Sequence, residues 1–425
     1  MGPRRDRPGR QERGAGRSRD ERAGQRRGGR LDRDADRLPV VFPSRPGTDV
    51  QHRHGGLRRL ARIIYGVQGE GRGHSSRSRV VIEHLLASGH EVRIFTSHKG
   101  YEHLRPHFEG VTEIFGLVFA FEGEKLDLLG TLRRNLERGS GELPETVMKM
   151  ARIWKEFRPQ IAVTDFEPWV PYARTILGIP FLSIDHQHVL SHYRLEYPYR
   201  WRPEYLQARA VVDGMVRGAE RYLVTSFFFP EPRGRGRRRA TLVGPILRRE
   251  VLARTAERDG PILVYATTAE ARQALDLLRG RPEECLAYGF GRDEGRDGNI
   301  RFRPPSVDRF LDDLAAARAV VTNGGYTLMS EALYLGTPIY AIPIRNQFEQ
   351  MINGYQLERL GYGLFDLDPV RRRLQQFLDG IAYFRANIER DRRVPAGPEG
   401  ESGPDRFNGN PHLFALLDER LGRLA

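Results

Sequence analysis

The sequence predicts an α/β protein with two doubly wound parallel sheets, each covered by helices on both faces. From Ala61 onward, short apolar runs rich in β-branched and aromatic residues alternate with longer amphipathic stretches of helical spacing. This alternation is typical of parallel sheets, because their strands are buried on both sides. The pattern breaks at a Pro-, Gly- and Arg-rich cluster at 230–239 and then restarts, which indicates a second domain of the same kind.

In the first half, the apolar runs predict five strands with helices between them. The helix predicted at 76–89 has apolar residues at helical spacing and ends at Gly89. The strands are predicted at 62–67, 91–97, 159–165, 181–185 and 221–227, with further helices at 169–178 and within 203–219.

The second half predicts five more strands, at 261–268, 284–290, 299–305, 319–325 and 338–344. In doubly wound sheets, ligands bind beyond the carboxyl ends of the strands, where helices begin. Two such domains that face each other form a cleft. The loops at their strand ends are therefore the candidate site.

Composition sets the domain boundaries. The last helix has an apolar face that must be covered, and we expect it to return to the first domain. The predicted divisions are a disordered Arg-rich tail at 1–58, a first Rossmann-like domain at 59–229, a linker at 230–245, a second Rossmann-like domain at 246–392, a flexible segment at 393–410 and a C-terminal helix at 411–425.

The basic charge is concentrated in the tail. Residues 1–60 hold 17 arginines against 8 acidic residues, so +9 of the formal charge of +14 lies there. With almost no apolar residues, this segment cannot offset the entropy of folding. It is either an arm that contacts nucleic acid or anionic lipid, or a solvated tail or translated upstream sequence. The second interpretation is favoured, because Arg also displaces Lys across the rest of the chain.

The single cysteine, Cys285, excludes an internal disulfide. No apolar run approaches the roughly 20 residues that span a bilayer, and the first residues lack the apolar core of a signal peptide. We therefore expect a cytoplasmic protein, with contact at the inner face of the membrane left open.

The most informative stretch is VVTNGGYTLMSEALYLG, where a predicted strand ends at Asn323-Gly324-Gly325 and a helix follows. Backbone N–H groups and the helix dipole converge at such a junction and favour a diphosphate. Thr327 can add a hydroxyl, and Glu331, one turn further on, can accept two ribose hydroxyls. Glu349-Gln350, at the start of the next helix, can bind the hydroxyls of a sugar.

This order and spacing resembles the nucleotide-sugar site of GT-B glycosyltransferases. It looks like family 28, which includes the transferase that adds N-acetylglucosamine in lipid II synthesis, and more distantly like family 1. The resemblance implies a GT-B fold, with a UDP-sugar in the second domain and an acceptor on the first. It implies a donor site formed by Thr267, Thr268, Phe310, Leu311, Asn323, Gly324, Gly325, Thr327, Glu331, Glu349, Gln350 and Asn353.

Within that set, the resemblance gives each residue a role. Phe310 and Leu311 match positions that meet the uracil ring, and Thr267 and Thr268 match the phosphate-facing loop after the first strand. The diphosphate faces the glycines and Thr327, the ribose faces Glu331, and the donor sugar faces Glu349, Gln350 and Asn353. The sequence departs from the family 28 pattern at ATTAEA, where GSxGA is usual.

The loop YGVQGEGRGHSSRS at 65–78 also resembles family 28, in which a glycine-rich turn precedes a histidine. The likeness over 61–363 is greatest to a little-characterised bacterial and archaeal branch that begins YGVxGEGxGHxxRS. The loop is not a dinucleotide fingerprint, because His74 stands where GxGxxG needs its third glycine. Its glycines are predicted to bring the backbone close to the cleft, and its distinctive residue is His74.

His74 is the candidate general base. An acceptor hydroxyl is a poor nucleophile near neutral pH, and an imidazole suits the removal of its proton. The alternative is a helix-capping or structural histidine. The acceptor side, or the orientation of His74, is assigned to residues at strand ends and in the loop itself: Glu70, Asp165, Glu167, Asp185 and His186.

Two further patterns have alternatives. His186, His188 and His192 have a spacing that permits a metal, but helix dipoles can serve the transfer, so we expect no metal and no cofactor beyond the UDP-sugar substrate. The segment at 126–138, with five leucines and three arginines, is either a membrane-surface helix or a core helix with a solvated basic face. We expect no specific nucleic acid partner.

The function expected from the sequence is an inverting glycosyltransferase that moves a sugar from a UDP-sugar to an acceptor hydroxyl, on a cell-envelope glycan or glycolipid. The first alternative is a UDP-sugar 2-epimerase or hydrolase on the same fold, which shares the nucleotide site but needs acid and base groups at C2 of the sugar. The second is a non-catalytic binding protein.

Overall fold

The computed structural model describes residues 60–116, 120–122, 125–171, 178–234, 239–394 and 405–424. The predicted tail at 1–58 lies outside these residues, as do most of the helix predicted at 169–178 and most of the predicted flexible segment. Residues Leu57–Ala425 form one compact unit.

In the described residues, the first half forms nine strands, seven of which make one parallel sheet. The order in that sheet is β3-β2-β1-β6-β7-β8-β9, and β4 and β5 form a separate antiparallel pair. The strands are β1 Arg62–Val67, β2 Glu91–Thr96, β3 Val111–Glu113, β4 Ala120–Glu122, β5 Lys125–Asp127, β6 Ile161–Asp165, β7 Phe181–Asp185, β8 Arg221–Thr225 and β9 Ala240–Val243.

Five helices with both ends inside the described residues accompany these strands, and residues 169–171 are helical as well. The five are α1 Arg72–Ala87, α2 His98–Leu104, α3 Leu128–Phe157, α4 Val189–His192 and α5 Arg202–Met215. Helix α1 begins four residues earlier than the prediction at 76, because Gly71 adopts φ 85° and ψ 159° and turns the chain directly into the helix. His74 therefore lies in the first turn of α1. The leucines of the basic segment fall on β5 and α3, but their side chains lie outside the described part of the chain.

The second half repeats the architecture. Its sheet has the order β12-β13-β11-β10-β14-β15-β16 and is parallel except for β12, which runs antiparallel to β13. The strands are β10 Ile262–Tyr265, β11 Cys285–Tyr288, β12 Gly295–Asp297, β13 Ile300–Phe302, β14 Ala319–Thr322, β15 Ile339–Ala341 and β16 Gly363–Phe365.

From residue 249 onward, the described part of the chain contains eight helices: α6 Arg249–Leu252, α7 Ala269–Leu278, α8 Val307–Ala316, α9 Tyr326–Tyr334, α10 Phe348–Arg359, α11 Arg371–Asp379, α12 Ile381–Arg392 and α13 Asn410–Gly422. The fold class predicted from the sequence, two α/β sheets with helices, is confirmed.

The chain segment predicted as a linker is partly a strand. Within 230–245, β9 pairs with β8 from Tyr222↔Ala240 to Thr225↔Val243 and completes the first sheet. Its sequence ATLV has strand propensity, and Val243 is fully buried in the core. The Arg-rich residues before β9 obscured this strand signal in the sequence. Because β9 belongs to the first sheet, the chain leaves that sheet only after Val243.

The last helix packs on the first sheet. Leu413, Leu417 and Leu421 are buried in one hydrophobic cluster with β1 and α1 residues. The His84 ring stacks on Phe414 at a centroid distance of 3.9 Å, and its Nε2 lies 2.9 Å from an Asp418 oxygen. The i, i+4 spacing of the leucines forms the apolar stripe that the sequence required to be covered.

Candidate active site

The glycine-rich loop after β1 approaches the second half of the molecule. A side chain at Gly73 would bring a Cβ within 2.9 Å of Thr327 Oγ1, so only glycine allows this approach without a shift. The Thr327 hydroxyl lies 3.4 Å from the Gly73 carbonyl oxygen. The loop therefore meets the first turn of α9 across the boundary between the two sheets.

His74 pairs with Asp165, the last residue of β6. Its Nδ1 lies 2.8 Å from Asp165 Oδ1, and its side chain keeps 15% exposure while that of Asp165 keeps 1%. Arg77 Nε donates to Asp165 Oδ2 at 2.7 Å, and Ser78 Oγ donates to the same oxygen at 2.8 Å. Residues i, i+3 and i+4 of α1 thus converge on one carboxylate, because these positions share one helix face.

The charges at this carboxylate set the tautomer of His74. Burial alone raises the pKa of Asp165, but Arg77 and then His74 outweigh it and hold the pKa below its ordinary value. An ionised Asp165 accepts a hydrogen bond from Nδ1–H, so Nε2 carries no proton in the neutral ring. Arg77 Nη2 lies 2.8 Å from the same Nδ1; we attribute this contact to their shared acceptor, since both atoms are donors in that tautomer.

Glu167 supports the backbone. Its two carboxylate oxygens accept from the backbone N–H groups of Trp169 at 3.0 Å and Val170 at 3.1 Å, which caps the helical turn that follows β6. Complete burial raises the pKa of Glu167 to about 7 against those two hydrogen bonds. Both oxygens of Glu167 thus bond its own turn, and its role on the acceptor side or in orienting His74 stays a prediction.

Asp185 also serves its own turn. Its carboxylate accepts from the backbone N–H of His188 at 2.9 Å and from His188 Nδ1, and Ser183 donates to it as well. Burial raises its pKa, but His188 and Ser183 bring the pKa far below its ordinary range. Of the predicted carboxylates, Asp165 is the one bonded to His74, while Glu70 is half-buried in the loop with its backbone N–H 3.4 Å from Gln68 Oε1.

His186 joins the two halves. Its Nδ1 lies 2.7 Å from the Thr225 carbonyl oxygen, and its ring stacks on Tyr326 at 3.9 Å with an interplanar angle of 10°. Nε2 lies 2.8 Å from Asn353 Oδ1, and Asn353 Nδ2 donates to the Gly324 carbonyl oxygen at 3.4 Å. Burial lowers the pKa of His186. His186 and Asn353 therefore hold the halves together.

The histidines that suggested a metal have protein partners. His188 bonds Asp185 through Nδ1 and lies 3.0 Å from the Val216 carbonyl oxygen through Nε2. Burial lowers the pKa of His192 to about 4, and its ring packs against Tyr222 at 4.3 Å. Across the described residues, no group of three or more His, Cys, Asp or Glu side chains is arranged to hold a metal ion.

On the donor side, α9 begins directly after the two glycines. Gly324 has φ 80°, and a Cβ at Gly325 would have no atom within 4 Å. The first backbone N–H groups of α9 have no acceptor within the helix and point out of its end. The N-terminus of α9 and the first turn of α1, which carries His74, therefore lie next to each other beyond the carboxyl ends of β14 and β1.

Asn323 forms hydrogen bonds with Thr267 and Thr268. Asn323 Oδ1 accepts from the backbone N–H of Thr267 at 2.9 Å, and its Nδ2 donates to Thr268 Oγ1 at 2.8 Å. Thr268 also accepts from Ala271 N at 3.4 Å as the N-cap of α7. The side chains of Asn323 and Thr268 thus join the loops that follow β14 and β10, while Thr267 is exposed.

Glu331 and Gln350 have partners that the sequence did not indicate. Arg248 binds both oxygens of the buried Glu331, through Nε at 2.7 Å and Nη2 at 2.9 Å. Gln350 Oε1 accepts from the backbone N–H of Ile344 at 3.0 Å and closes the loop before α10. A ribose at Glu331 would therefore share the carboxylate with Arg248.

Glu349 reaches the first half. Gln187 Nε2 donates to Glu349 Oε2 at 2.9 Å, and Gln187 Oε1 lies 3.4 Å from Arg77 Nη2. A chain of contacts therefore runs from His74 and Asp165 through Arg77 and Gln187 to Glu349.

The two residues predicted to contact the base, Phe310 and Leu311, differ in burial. The half-buried Phe310 ring packs edge-on against Tyr288 at 5.0 Å and Tyr265 at 5.8 Å. Leu311 is fully buried, so its side chain packs in the core and its contact with a base stays a prediction. The helical period explains the difference, because consecutive residues of α8 point about 100° apart.

Sequence reasoning missed Arg77, Gln187, Arg248 and Tyr326. For Arg77 a signal existed, because it stands three residues after His74 and inside the helix predicted at 76–89. Gln187, Arg248 and Tyr326 contact residues that are far away in the sequence. Nothing in the local sequence around these three residues indicates those contacts.

Three comparisons place the chain among known proteins. Residues 61–382 match the family model described as glycosyl transferase family 1. An uncharacterised glycosyltransferase of Methanosarcina acetivorans is 22% identical over 404 residues, which cover 86% of this chain and all of that protein. The glycotransferase of kitacinnamycin has a TM-score of 0.59 at 19% identity, covering 85% of this chain and 99% of that one.

A second solved structure is UGT2 of Phytolacca americana in complex with UDP-2fluoro-glucose and pterostilbene. Its TM-score is 0.58 at 12% identity, over 85% of this chain and all of that one. At these identities the likeness shows the shared GT-B fold. Within the part of the chain that the structure describes, no helix is both long and apolar enough to cross a membrane.

The Arg77–Asp165 pair predicts a large stability effect. Arg77→Met leaves a buried carboxylate without its cation, so we expect the free energy of unfolding to fall by about 3–5 kcal/mol. Arg77→Met with Asp165→Asn removes both charges and should recover more than half of that loss. Urea unfolding measures both.

The control is Arg79→Met on the same helix. Arg79 pairs with Glu83 and Glu250, whose side chains are 35% and 24% exposed, so solvent screens the charges left behind and we expect a smaller loss of about 1 kcal/mol. An Arg77 variant as stable as this control would contradict the assigned role of the ion pair.

Glu167 predicts a pH effect on stability. Its folded pKa of about 7 lies above the ordinary 4.5, so the folded protein holds a proton that the unfolded chain has lost. The free energy of unfolding should therefore fall as pH rises from about 5 to 8, by up to about 3 kcal/mol from this group. Asp165 and Asp185, with lowered pKa values, titrate below this range.

Glu167→Gln does not titrate and should remove this contribution. Urea unfolding of both proteins at several pH values measures it, since the difference between the two curves cancels other groups. Parallel pH profiles for the two proteins would contradict the raised pKa.

Proposed function

The chain belongs to glycosyl transferase family 1, and from this we propose that it is an inverting glycosyltransferase that moves a sugar from a UDP-sugar to an acceptor hydroxyl. The observation that carries the proposal is the His74–Asp165 pair at 2.8 Å, beside the N-terminus of α9. A base and an anion-binding helix end on one cleft are the two elements that such a transfer needs.

The base acts on the acceptor. Nε2 of His74 takes the proton from the acceptor hydroxyl, and the oxygen attacks the anomeric carbon of the donor. The bond from that carbon to the diphosphate oxygen breaks as the new bond forms, which inverts the configuration. Asp165 keeps its proton-free state and stabilises the imidazolium that results.

The helix stabilises the leaving group. Charge develops on the diphosphate as the bond breaks, and the backbone N–H groups at the start of α9 with the Thr327 hydroxyl face that charge. The open space at Gly325 admits the phosphate groups close to the backbone. In this proposal the helix end supplies the electrostatic stabilisation without a metal ion or cofactor.

Three residues serve the rest of the donor. Phe310, beside the 37% exposed Tyr265, offers aromatic surface to the uracil ring. Glu349 contacts the donor sugar, and Glu331 accepts ribose hydroxyls with Arg248 alongside. UDP as the nucleotide rests on the resemblance and is supported by the UDP-2fluoro-glucose in the similar Phytolacca structure.

The acceptor in this proposal is a cell-envelope glycan or glycolipid, reached from the cytoplasm or the inner face of the membrane. We propose this acceptor class from two likenesses, one to family 28 and one to the branch with the YGVxGEGxGHxxRS start. The glycine-rich loop and the donor segment carry the residues on which both likenesses rest.

His74→Ala tests the mechanism. We expect UDP binding within about twofold of the parent and turnover at least about a hundredfold lower, because a general base contributes in that range. Calorimetry with UDP gives the first value, and UDP release from a UDP-sugar in the presence of acceptor gives the second. Weakened UDP binding with unchanged turnover would contradict the role.

His84→Ala is the matched control, since His84 is also a carboxylate-paired histidine of α1 but lies under Phe414, away from the cleft. It should leave turnover per folded molecule within about twofold. NMR of the product tests inversion, because an α-linked donor must give a β-linked product. Formation of an epimer or free sugar from UDP-sugars alone would instead favour the epimerase or hydrolase.

A further inference from the structure

A second concave site lies beside the cleft. It is a groove of about 590 Å³ between the segment that follows α4, helix α5 and helix α10. Both halves of the molecule contribute, because Tyr355 belongs to α10 and the other residues to the first half. The side chains that matter are three tyrosines and three arginines: Tyr197, Tyr199, Arg202, Arg209, Arg233 and Tyr355.

The groove adjoins the proposed acceptor position. Tyr197 and Tyr205 of its wall pack against the Phe348 ring at 5.3 and 5.4 Å. Phe348 is the first residue of α10, and the next residue, Glu349, bonds Gln187 beside Arg77. The first turn of α10 therefore has the groove on one side and the catalytic residues on the other.

The groove holds uncompensated positive charge. Within the described residues, Arg202 and Arg233 form no ion pair, and their guanidinium groups lie over the rings of Tyr199 at 5.6 Å and Tyr205 at 5.7 Å. The carboxylate of Glu196, which also lines the groove, is bound by Arg359 at 2.5 Å. The charges that face the groove are thus cationic and held in place by aromatic stacking.

The third arginine of the groove is paired. Arg209 Nε lies 3.4 Å from Asp213 Oδ2, so among the described residues Arg202 and Arg233 are the groove arginines without a counter-charge.

We propose that this groove binds a phosphate group carried by the acceptor, so that the acceptor class is a sugar phosphate. Two guanidinium groups without a counter-charge match a phosphate monoester, which carries nearly two negative charges, and they bind it through paired N–H groups. The tyrosine faces cover the apolar side of the attached sugar ring. This inference rests on the proposed transferase activity, and for the acceptor it replaces the cell-envelope glycan or glycolipid named from the resemblance with a sugar phosphate.

The test uses the full chain with saturating UDP, so that the anion position at α9 is filled. Affinities are measured by calorimetry for three probes: glucose 1-phosphate, methyl glucoside and inorganic phosphate. We expect glucose 1-phosphate to bind at least about tenfold more tightly than either of the others, equivalent to about 1.4 kcal/mol.

Two variants locate the site. Arg202→Gln with Arg233→Gln should abolish the preference for glucose 1-phosphate, while UDP affinity stays within about twofold. Tyr199→Ala, at a ring that is 79% exposed, should weaken glucose 1-phosphate but not inorganic phosphate. Arg200→Gln, an exposed neighbour that does not line the groove, is the charge-matched control and should leave the preference unchanged.

Three results would overturn the inference: equal binding of glucose 1-phosphate and methyl glucoside, an equal effect of Arg200→Gln, or equal binding of inorganic phosphate and glucose 1-phosphate. A fourth arm uses vesicles with phosphatidylglycerol. If the arginine variants weaken vesicle binding while glucose 1-phosphate fails to bind, the anion is a lipid headgroup and the acceptor assignment is wrong. Loss of UDP binding in the parent would instead count against the transferase proposal itself.

Discussion

The structure depends on one buried charge, the carboxylate of Asp165. A carboxylate at the end of a central strand with 1% exposure is stable only if it is paired and hydrogen-bonded. Arg77, Ser78 and His74 meet that requirement from one helix face, so the charge fixes the position and rotation of α1 on the sheet. The same pairing orients the His74 imidazole. The Asp165 carboxylate therefore serves both the stability of the fold and the proposed chemistry.

The two halves are joined by polar contacts that involve the proposed reaction site. Gln187 bonds Glu349, His186 bonds Asn353, and Thr327 approaches Gly73. Each contact links a loop of the first sheet to the start of α9 or to α10. The position of the base relative to the donor is consequently set by side chains next to both, and changes in either half are transmitted to the other through a few hydrogen bonds.

The fold was predictable because its signals are local and repeated. Strand and helix periods place ten of the strands, whereas six short strands escaped because three or four residues carry little periodicity: β3, β4, β5, β9, β12 and β16. Asp165 was among the predicted carboxylates, since the ends of parallel strands meet at one edge. The choice of Asp165 over Glu167 and Asp185 depends on which way each side chain turns, and sequence spacing does not contain that information.

Helix α13 closes the core of the first sheet with residues that come after the entire second sheet. The first sheet therefore cannot bury its apolar face while the chain is still being synthesised through the second half, and its final packing waits for contacts of very high sequence separation. We infer that the two sheets are not interchangeable modules. A chimera that exchanges one half between relatives must take α13 from the donor of the first half, and a chain cut after α12 leaves an aggregation-prone apolar surface.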